Sequence, residues 1–412
     1  MKKNLLIAAI LLIAFNFNAQ VADSIFLQPG YANQSYYNLI SGEVANVDNS
    51  DWDLAFDLSA YGSSIRINGK TGTELYVYPD GDNSAWSSVD ISAISSWTRS
   101  YNSDTSWYKG AFDVTANSSD PFDLGWGIYS TITHFITGDS IHIIKLSSGD
   151  YKKLQLISLS NGDYEFKYAN IDGSNEVVAS LSKSNFTNKN FGYYSIQNNV
   201  ALDREPESDN WHLVFTKYVA ELSPGTFYGV TGVLSNSNVV VAQEDQVDVS
   251  VINSPTSSYQ TAINTIGYDW KSYGGGGYVL ASDLCYFIKD VNDDIWKIFF
   301  SEFEGSSTGK IVFNKEALTL SNTSEMEQIN SFAIYPNPSN TNNVTILYDF
   351  NASNSKGSLE IYDLNGKIVK TENLNSSGFS KKEISLNGIV PGIYFVNLTV
   401  GNNRISEKLI VQ

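Results

Sequence analysis

The chain has 412 residues, enough for two or three domains, and a formal net charge of −18. That charge excludes a nucleic-acid partner, whose phosphates are held by Lys and Arg, and suits a soluble exported protein kept apart by like charge. The single Cys285 excludes an intrachain disulfide, and a 13% share of Phe, Trp and Tyr among many Ser, Asn, Gly and Val predicts an all-β chain.

At the N-terminus Lys2 and Lys3 precede the apolar run Leu5 to Phe15, followed by Asn18-Ala19-Gln20. A charged start, a short apolar stretch and a small-residue zone predict a cleaved signal peptide over residues 1–20. The run is too short to span a bilayer, no Cys stands at the boundary to carry a lipid anchor, and no later stretch is long enough for a transmembrane helix.

The middle of the chain repeats itself. Tyr36-Tyr37-Asn38-Leu39 followed by Ser50-Asp51-Trp52-Asp53-Leu54-Ala55-Phe56 returns as Tyr193-Tyr194-Ser195-Ile196 followed by Asp209-Asn210-Trp211-His212-Leu213-Val214-Phe215. A constant offset then aligns Trp126 with Trp270, Asp139 with Asp283, Ile144-Lys145 with Ile288-Lys289 and Lys153 with Lys297. Two tandem antiparallel β modules follow, one over 21–185 and one over 186–320. Alternation puts Trp52, Leu54 and Phe56 on one strand face and Asp51, Asp53 and Ala55 on the other, with Trp211, Leu213 and Phe215 repeating the first set. Ser87 to Trp97 holds the one helical signal, with Asp90 and Ser92 as candidate caps. Gly274 to Gly277 reads as a flexible loop, and Cys285 as a small buried hydrophobe.

Catalytic motifs are absent, so no enzyme is expected and no catalytic residues are assigned. Asp290, Asn292, Asp293 and Asp294 resemble the start of a calcium loop without its Gly and distal Glu, so no metal site is assigned. Asp51, Asp53 and Asp57 read as solvated strand-edge charge rather than paired hydrolytic carboxylates. Trp86, Trp97 and Trp107, with Tyr101 among them, lie in a polar stretch of the first module. They are candidates for stacking on a flat ligand such as a sugar or porphyrin, and equally for stapling long loops onto a sheet.

Residues 321–333 form a polar linker, and 334–412 a small immunoglobulin-like β-sandwich. There Val344 to Phe350 alternates, Asn365-Gly366 marks a tight hairpin turn, and Pro391-Gly392 precedes the strand Ile393 to Val400.

Two resemblances rest on these residues. Tyr335-Pro336-Asn337-Pro338, then Leu359 to Lys367, then Pro391-Gly392-Ile393-Tyr394, then Lys408 to Gln412 at the end resemble the type A C-terminal sorting domain of the type IX secretion system of Bacteroidota. The resemblance implies handling by that machinery, export across the outer membrane, and release or attachment at the cell surface. The order of motifs in each module is similar to the HmuY-like haemophore family: Trp52 to Phe56, Gly125-Trp126, Ile143 to Lys145, Gly149-Asp150 and Tyr164 to Tyr168, with counterparts in the second module. It implies haem in a cleft between two axial side chains, usually His. His134 and His142 are the candidate pair; His212, next to Trp211, should point outward, and Met326 lies in the linker. The expected function is therefore that of an exported binding protein capturing haem through these modules; the alternative is a polysaccharide-binding or adhesion protein, with Trp86, Trp97 or Trp107 coplanar on an exposed face.

Overall fold

The computed structural model describes residues 20–319, 331–339, 341–363, 366–400 and 403–412; the expected leader, apart from Gln20, and Met326 lie outside them. The chain divides into two compact units at Thr319/Leu320. Among the described residues the strands are interrupted only by turns, loops and short 3-10 segments, and no helix is long and apolar enough to cross a membrane. The all-β expectation holds.

The first unit contains two β-sandwiches. In the first, a four-stranded antiparallel sheet runs in the order Val200–Leu202, Phe191–Ser195, Leu54–Asp57, Ile65–Ile67. It packs on a larger sheet whose main path is Val177–Ser182, Asp163–Asn170, Tyr151–Ser160, Ser140–Lys145, Glu74–Asp82, Arg99–Ser100. Leu54, Phe56, Trp126, Leu154, Phe166 and Tyr194 fill the space between them. In the second, Gly42–Asp48, Asn33–Asn38, Leu213–Ser223 and Thr226–Ser235 form the four-stranded sheet. Its partner runs Val21–Phe26, Lys310–Thr319, Ile295–Phe303, Leu284–Lys289, Val240–Asp245. Ile25, Tyr37, Phe215, Trp270, Tyr286 and Phe313 fill that core.

The chain therefore does not divide at residue 185, as the expected modules did. Val21–Phe26 pairs with Lys310–Thr319, and Asn33–Asn38 pairs with Leu213–Ser223, so the N-terminal segment completes the sandwich of the C-terminal half. Phe191–Ser195 pairs back onto Leu54–Asp57 and completes the first. The N-terminal crossing is closely fitted. Leu27 is fully buried and its N–H donates to Gly309 O at 3.0 Å. Gly309 sits at φ +69°, and a Cβ there would lie 2.6 Å from Gln28 O, so glycine is required by both conformation and space.

The sandwiches meet through the outer faces of their four-stranded sheets. Tyr36, Trp211, Val214 and Leu234 face Ala55, Phe191 and Tyr193, with Trp107 packed against both groups. The Tyr36 and Tyr193 hydroxyls lie 3.3 Å apart. This corrects the expected strand faces: Leu54–Asp57 begins after Trp52, which packs with Ala55 and Tyr193 instead of sharing the core face of Leu54 and Phe56. Trp211 behaves likewise relative to Leu213 and Phe215. The helical signal at 87–97 resolves into 3-10 segments at Asn83–Ser88 and Ile94–Ser96, and Asp90 accepts from Ser92 N. The expected flexible loop is the turn of the hairpin Lys271–Gly274 and Gly277–Leu280, with Gly275 and Gly276 at positive φ.

The second unit pairs Ser331–Tyr335, Asn343–Tyr362, Gly392–Val400 and Asn403–Val411 in that order, with Ile368–Ser385 also on Asn343–Tyr362. Residues 331–333, expected in the linker, belong to its first strand. Gly366 lies in the expected turn at φ +78°, while Asn365 is outside the described residues. The first and last motifs meet. Asn337 donates to Lys408 O and accepts from Ile410 N at 2.9 Å, Ser339 N donates to Ile410 O at 2.7 Å, and Gln412 N to Ser339 O at 2.8 Å. Tyr394 is buried, whereas Tyr335 and Lys408 are exposed.

If the N-terminal segment closes the second core, Leu27→Ala should cost about 2–5 kcal/mol, as deletion of a buried leucine does elsewhere. Denaturant unfolding measures this; a loss below about 0.5 kcal/mol, typical of a surface site, would show that the segment is only laid on the surface.

Candidate binding groove and central cavity

A buried arginine builds the main concave feature. Arg66, on Ile65–Ile67, donates to Ser103 O and Ser106 O at 2.7 Å each, to Trp107 O at 3.2 Å and to Lys109 O at 3.3 Å. Asn102 accepts from Ile67 N and Ala111 N and donates to Ile67 O at 2.8 Å. Gly110 passes so close to Ile65 O that a Cβ would lie 1.9 Å from it. The loop 102–111 is thus fixed to the first sandwich by its backbone, which leaves side chains such as that of Tyr108 turned to solvent.

Across from this loop stands the tip of the long hairpin of the second sandwich. Phe227 stacks on Tyr101 at 3.7 Å, and Glu221 N donates to Asp104 at 3.3 Å. Loop and hairpin bound an open groove of about 1680 Å³, lined by Tyr61, Trp97, Tyr101, Tyr108 and Phe227 among polar residues. Tyr61 is fully exposed and Tyr108 is 58% exposed.

The acids of the groove are held by the chain itself. Asp113 accepts from Ser64 Oγ at 2.6 Å and Gly110 N at 2.7 Å, and burial pushes it up to about 7. Asp57 is buried, raised for the same reason, and accepts from Ser59 N at 2.8 Å. Asp123 accepts from Asn117 N and Gly125 N. The expectation of solvated strand-edge charge therefore fails for Asp53 and Asp57. Asp53 is buried and accepts from Ile196 N at 2.7 Å, and Asp51 pairs with Arg204 at 3.1 Å.

Between the sandwiches lies a second, smaller space, a cavity of about 90 Å³. Tyr36, Trp52, Trp107, Tyr193, Trp211 and Tyr218 line it with Arg66, Lys70, Lys217, Asp104 and Glu205. Tyr193 donates to Glu205 at 2.8 Å, and burial raises Glu205 to about 7.

The residues singled out from sequence are dispersed. His142 is fully buried against Phe112 at 4.6 Å, its two ring nitrogens have no hydrogen-bond partner among the described residues, and burial pushes it down to about 3. His134 is on an exposed turn at φ 60°, 2.8 Å from the Tyr129 hydroxyl. Neither lines the groove or the cavity, so no axial pair is assembled there. His212 points inward rather than outward, accepting from Leu39 N at 3.0 Å with Asp290 at 3.6 Å on its other nitrogen. Asp290 closes a turn by accepting from Asn292 N and Asp294 N. Cys285 is buried beside Ala242 and Phe287.

The tryptophans act as staples and are not coplanar platforms on an open face. Trp86 donates to Glu176 at 2.8 Å, with Lys167 and Lys153 at 4.2 and 4.9 Å over its ring. Trp97 packs edge-on to Tyr78 at 5.7 Å while lining the groove, and Trp107 donates to Ser235 O at 2.8 Å across the two sandwiches. The exposed rings of the groove are Tyr61 and Tyr108, which sequence reasoning missed. Tyr61 lies in the Ser-Gly-rich stretch after Phe56, a loop signal that was the one available pointer to it.

His142 makes a pH signature. An unfolded His takes up its proton near 6.5 and the folded one only near 3, so stability falls as pH drops through that window. The slope from this residue is about 1.4 kcal/mol per pH unit. His142→Phe should remove it, seen as the difference between the two proteins in denaturant midpoints between pH 6 and pH 4; parallel profiles would mean that His142 is solvated in the folded protein.

Residues 333–412 match the family model described as the secretion system C-terminal sorting domain. No curated protein matches the chain. Among solved structures, a C-terminally truncated trimeric ectodomain of the C. elegans fusion protein EFF-1 is similar at 8% identity, over 95% of this chain and 91% of that one. Its TM-score is 0.17, and nothing about fold or function carries over from it. The C-terminal unit is a secretion system sorting domain, by which the protein is exported across the outer membrane to the cell surface or beyond.

Proposed function

We propose that this is a non-enzymatic, polysaccharide-binding protein of the Bacteroidota cell surface or secretome, which holds its ligand in the groove between loop 102–111 and hairpin tip 221–227. The observation that carries this reading is that two solvent-exposed tyrosines, Tyr61 and Tyr108, line one open groove. An aromatic face with a polar tip suits a sugar ring, which offers C–H groups on one face and hydroxyls at its rim. Ready-made walls favour binding because little ordering entropy is lost.

The engagement of the groove's acids supports binding over hydrolysis. Glycoside cleavage uses two carboxyl groups aimed at one bond, whereas Asp57, Asp113 and Asp123 each accept hydrogen bonds from neighbouring backbone or hydroxyl groups. The haem reading loses its support because its candidate ligands sit in a core and on a turn, away from both spaces. We further infer that the two sandwiches are copies of one ancestral module. Their matching strand orders and the equivalent positions of Tyr36 and Tyr193 and of Trp52 and Trp211 support this.

On a glycan array, followed by titration of the best ligand, Tyr61→Ala and Tyr108→Ala should each weaken binding about tenfold, equivalent to about 1.4 kcal/mol. Unchanged affinity in both would place the ligand elsewhere. Deleting residues 333–412 should leave the protein inside the outer membrane on cell fractionation; continued export would show that the address lies outside the matched domain.

A further inference from the structure

The central cavity collects donors that the chain leaves unanswered. Trp211 is 2% exposed, and among the described residues its buried Nε1–H has no acceptor and the buried Tyr218 hydroxyl no partner. Both residues line the cavity. The contrast with Trp52 is informative, because there the indole N–H donates to Asn49 Oδ1 at 2.9 Å. An indole nitrogen can only donate, so whatever meets Trp211 Nε1 must bring an acceptor.

The charges around the cavity favour an anion. Lys70 and Lys217 are half-exposed, and the Lys217 ammonium makes no hydrogen bond or ion pair among the described residues. Burial lowers the Lys70 pKa; Asp48 opposes that shift and the charge of Lys217 adds to it. Arg66 is the third cation, its bonds already given to carbonyls of loop 102–111. The two carboxylates of the lining face their own donors: Glu205 accepts from Tyr193 Oη and Asn190 N, and Asp104 from Glu221 N and Asn264 Nδ2. In a chain of charge −18, this is a local concentration of cations with one of them free. Size sets the limit: a water needs about 10–15 Å³ of such space, so 90 Å³ admits a group of a few atoms and no haem.

We propose that this cavity is an oxyanion pocket, which takes a carboxylate, sulfate or phosphate group on Trp211 Nε1, Tyr218 Oη and Lys217. Two sources share that chemistry, a free anion and the acidic substituent of a polysaccharide. The second source rests on the groove reading above, and Asn102, Ser103 and Asp104 line both cavity and groove. The pocket itself does not depend on that reading.

The test is titration of the mature full chain with sodium sulfate and with sodium acetate, against sodium chloride at equal ionic strength. Tryptophan fluorescence is the readout, since Trp52, Trp107 and Trp211 line the cavity. A saturable change with sulfate or acetate, absent with chloride, is expected. Tyr218→Phe, which removes only an unpartnered hydroxyl, and Lys217→Gln should each weaken it at least tenfold with the melting temperature kept. An equal response to chloride, no saturation, or unchanged affinity in both variants would overturn the proposal; should Tyr218→Phe fail to fold, the half-exposed Lys217→Gln decides alone. Dextran sulfate and neutral dextran then separate the sources. Tighter binding of dextran sulfate than of free sulfate, with the gain lost in Tyr61→Ala, assigns the pocket to a polymer substituent. No gain assigns it to a free ion, with the pocket intact and the groove reading weakened.

Discussion

The pairing of Val21–Phe26 with Lys310–Thr319 ties the two ends of the larger unit together, and the rest of that unit depends on it. A sheet edge without its neighbour exposes a row of unpaired amides and carbonyls, and the core beneath it is open along one side. Here the second sandwich obtains that strand, and Asn33–Asn38 beside it, from residues that precede the entire first sandwich. Phe191–Ser195 closes the first sandwich from within its own stretch of chain, just before the chain leaves it. The first sandwich is a continuous block from Leu54 to Leu202 inserted into the second, whose strands lie on both sides of it in the sequence. The pairing also explains how a protein with one cysteine holds two β cores as one compact unit.

The site inherits its rigidity from this arrangement. The groove has one wall in each sandwich, so its width is fixed only if the sandwiches are fixed to each other. The contact between the four-stranded sheets does this with aromatic packing and with bonds that cross it, among them Trp107 Nε1 to Ser235 O and the Tyr36–Tyr193 contact. Arg66 does the same for the loop. A buried guanidinium carries a heavy desolvation cost unless its donors are satisfied, and here four backbone carbonyls satisfy them. The carbonyls are thereby held in one arrangement, and with them the side chains that line the groove.

Much of the fold was legible in the sequence and the site was not. Alternating apolar residues, a high aromatic share and regular turn signals gave an all-β chain, and the repeated Tyr-Tyr and Trp-x-Leu-x-Phe segments marked corresponding strands. What similarity between two copies cannot reveal is which copy's strand pairs with which. Both present the same alternation, so either partner would satisfy the same hydrogen bonds and bury the same face. The Trp residues before each strand misled for a related reason: alternation was extended through a position where the chain has not yet entered the strand. His142 looked like a ligand because the HmuY-like resemblance implies axial histidines, yet its neighbours Ile141 and Ile143 to Ile144 already carried the signature of a buried strand. Tyr61 and Tyr108 carried no signal beyond lying in loops, because exposure is set by what the rest of the chain fails to cover. The sorting domain was legible because its motifs are read as sequence; their meeting through Asn337 and Ser339 was not.

Hydrogen exchange of the full chain, with and without a bound polysaccharide, tests the account most directly. It predicts ligand-dependent protection in two segments far apart in sequence, 98–110 and 221–227, at the same ligand concentration. Protection confined to one of them, or appearing instead at the exposed hairpin 271–280, would contradict a groove built jointly by the two sandwiches.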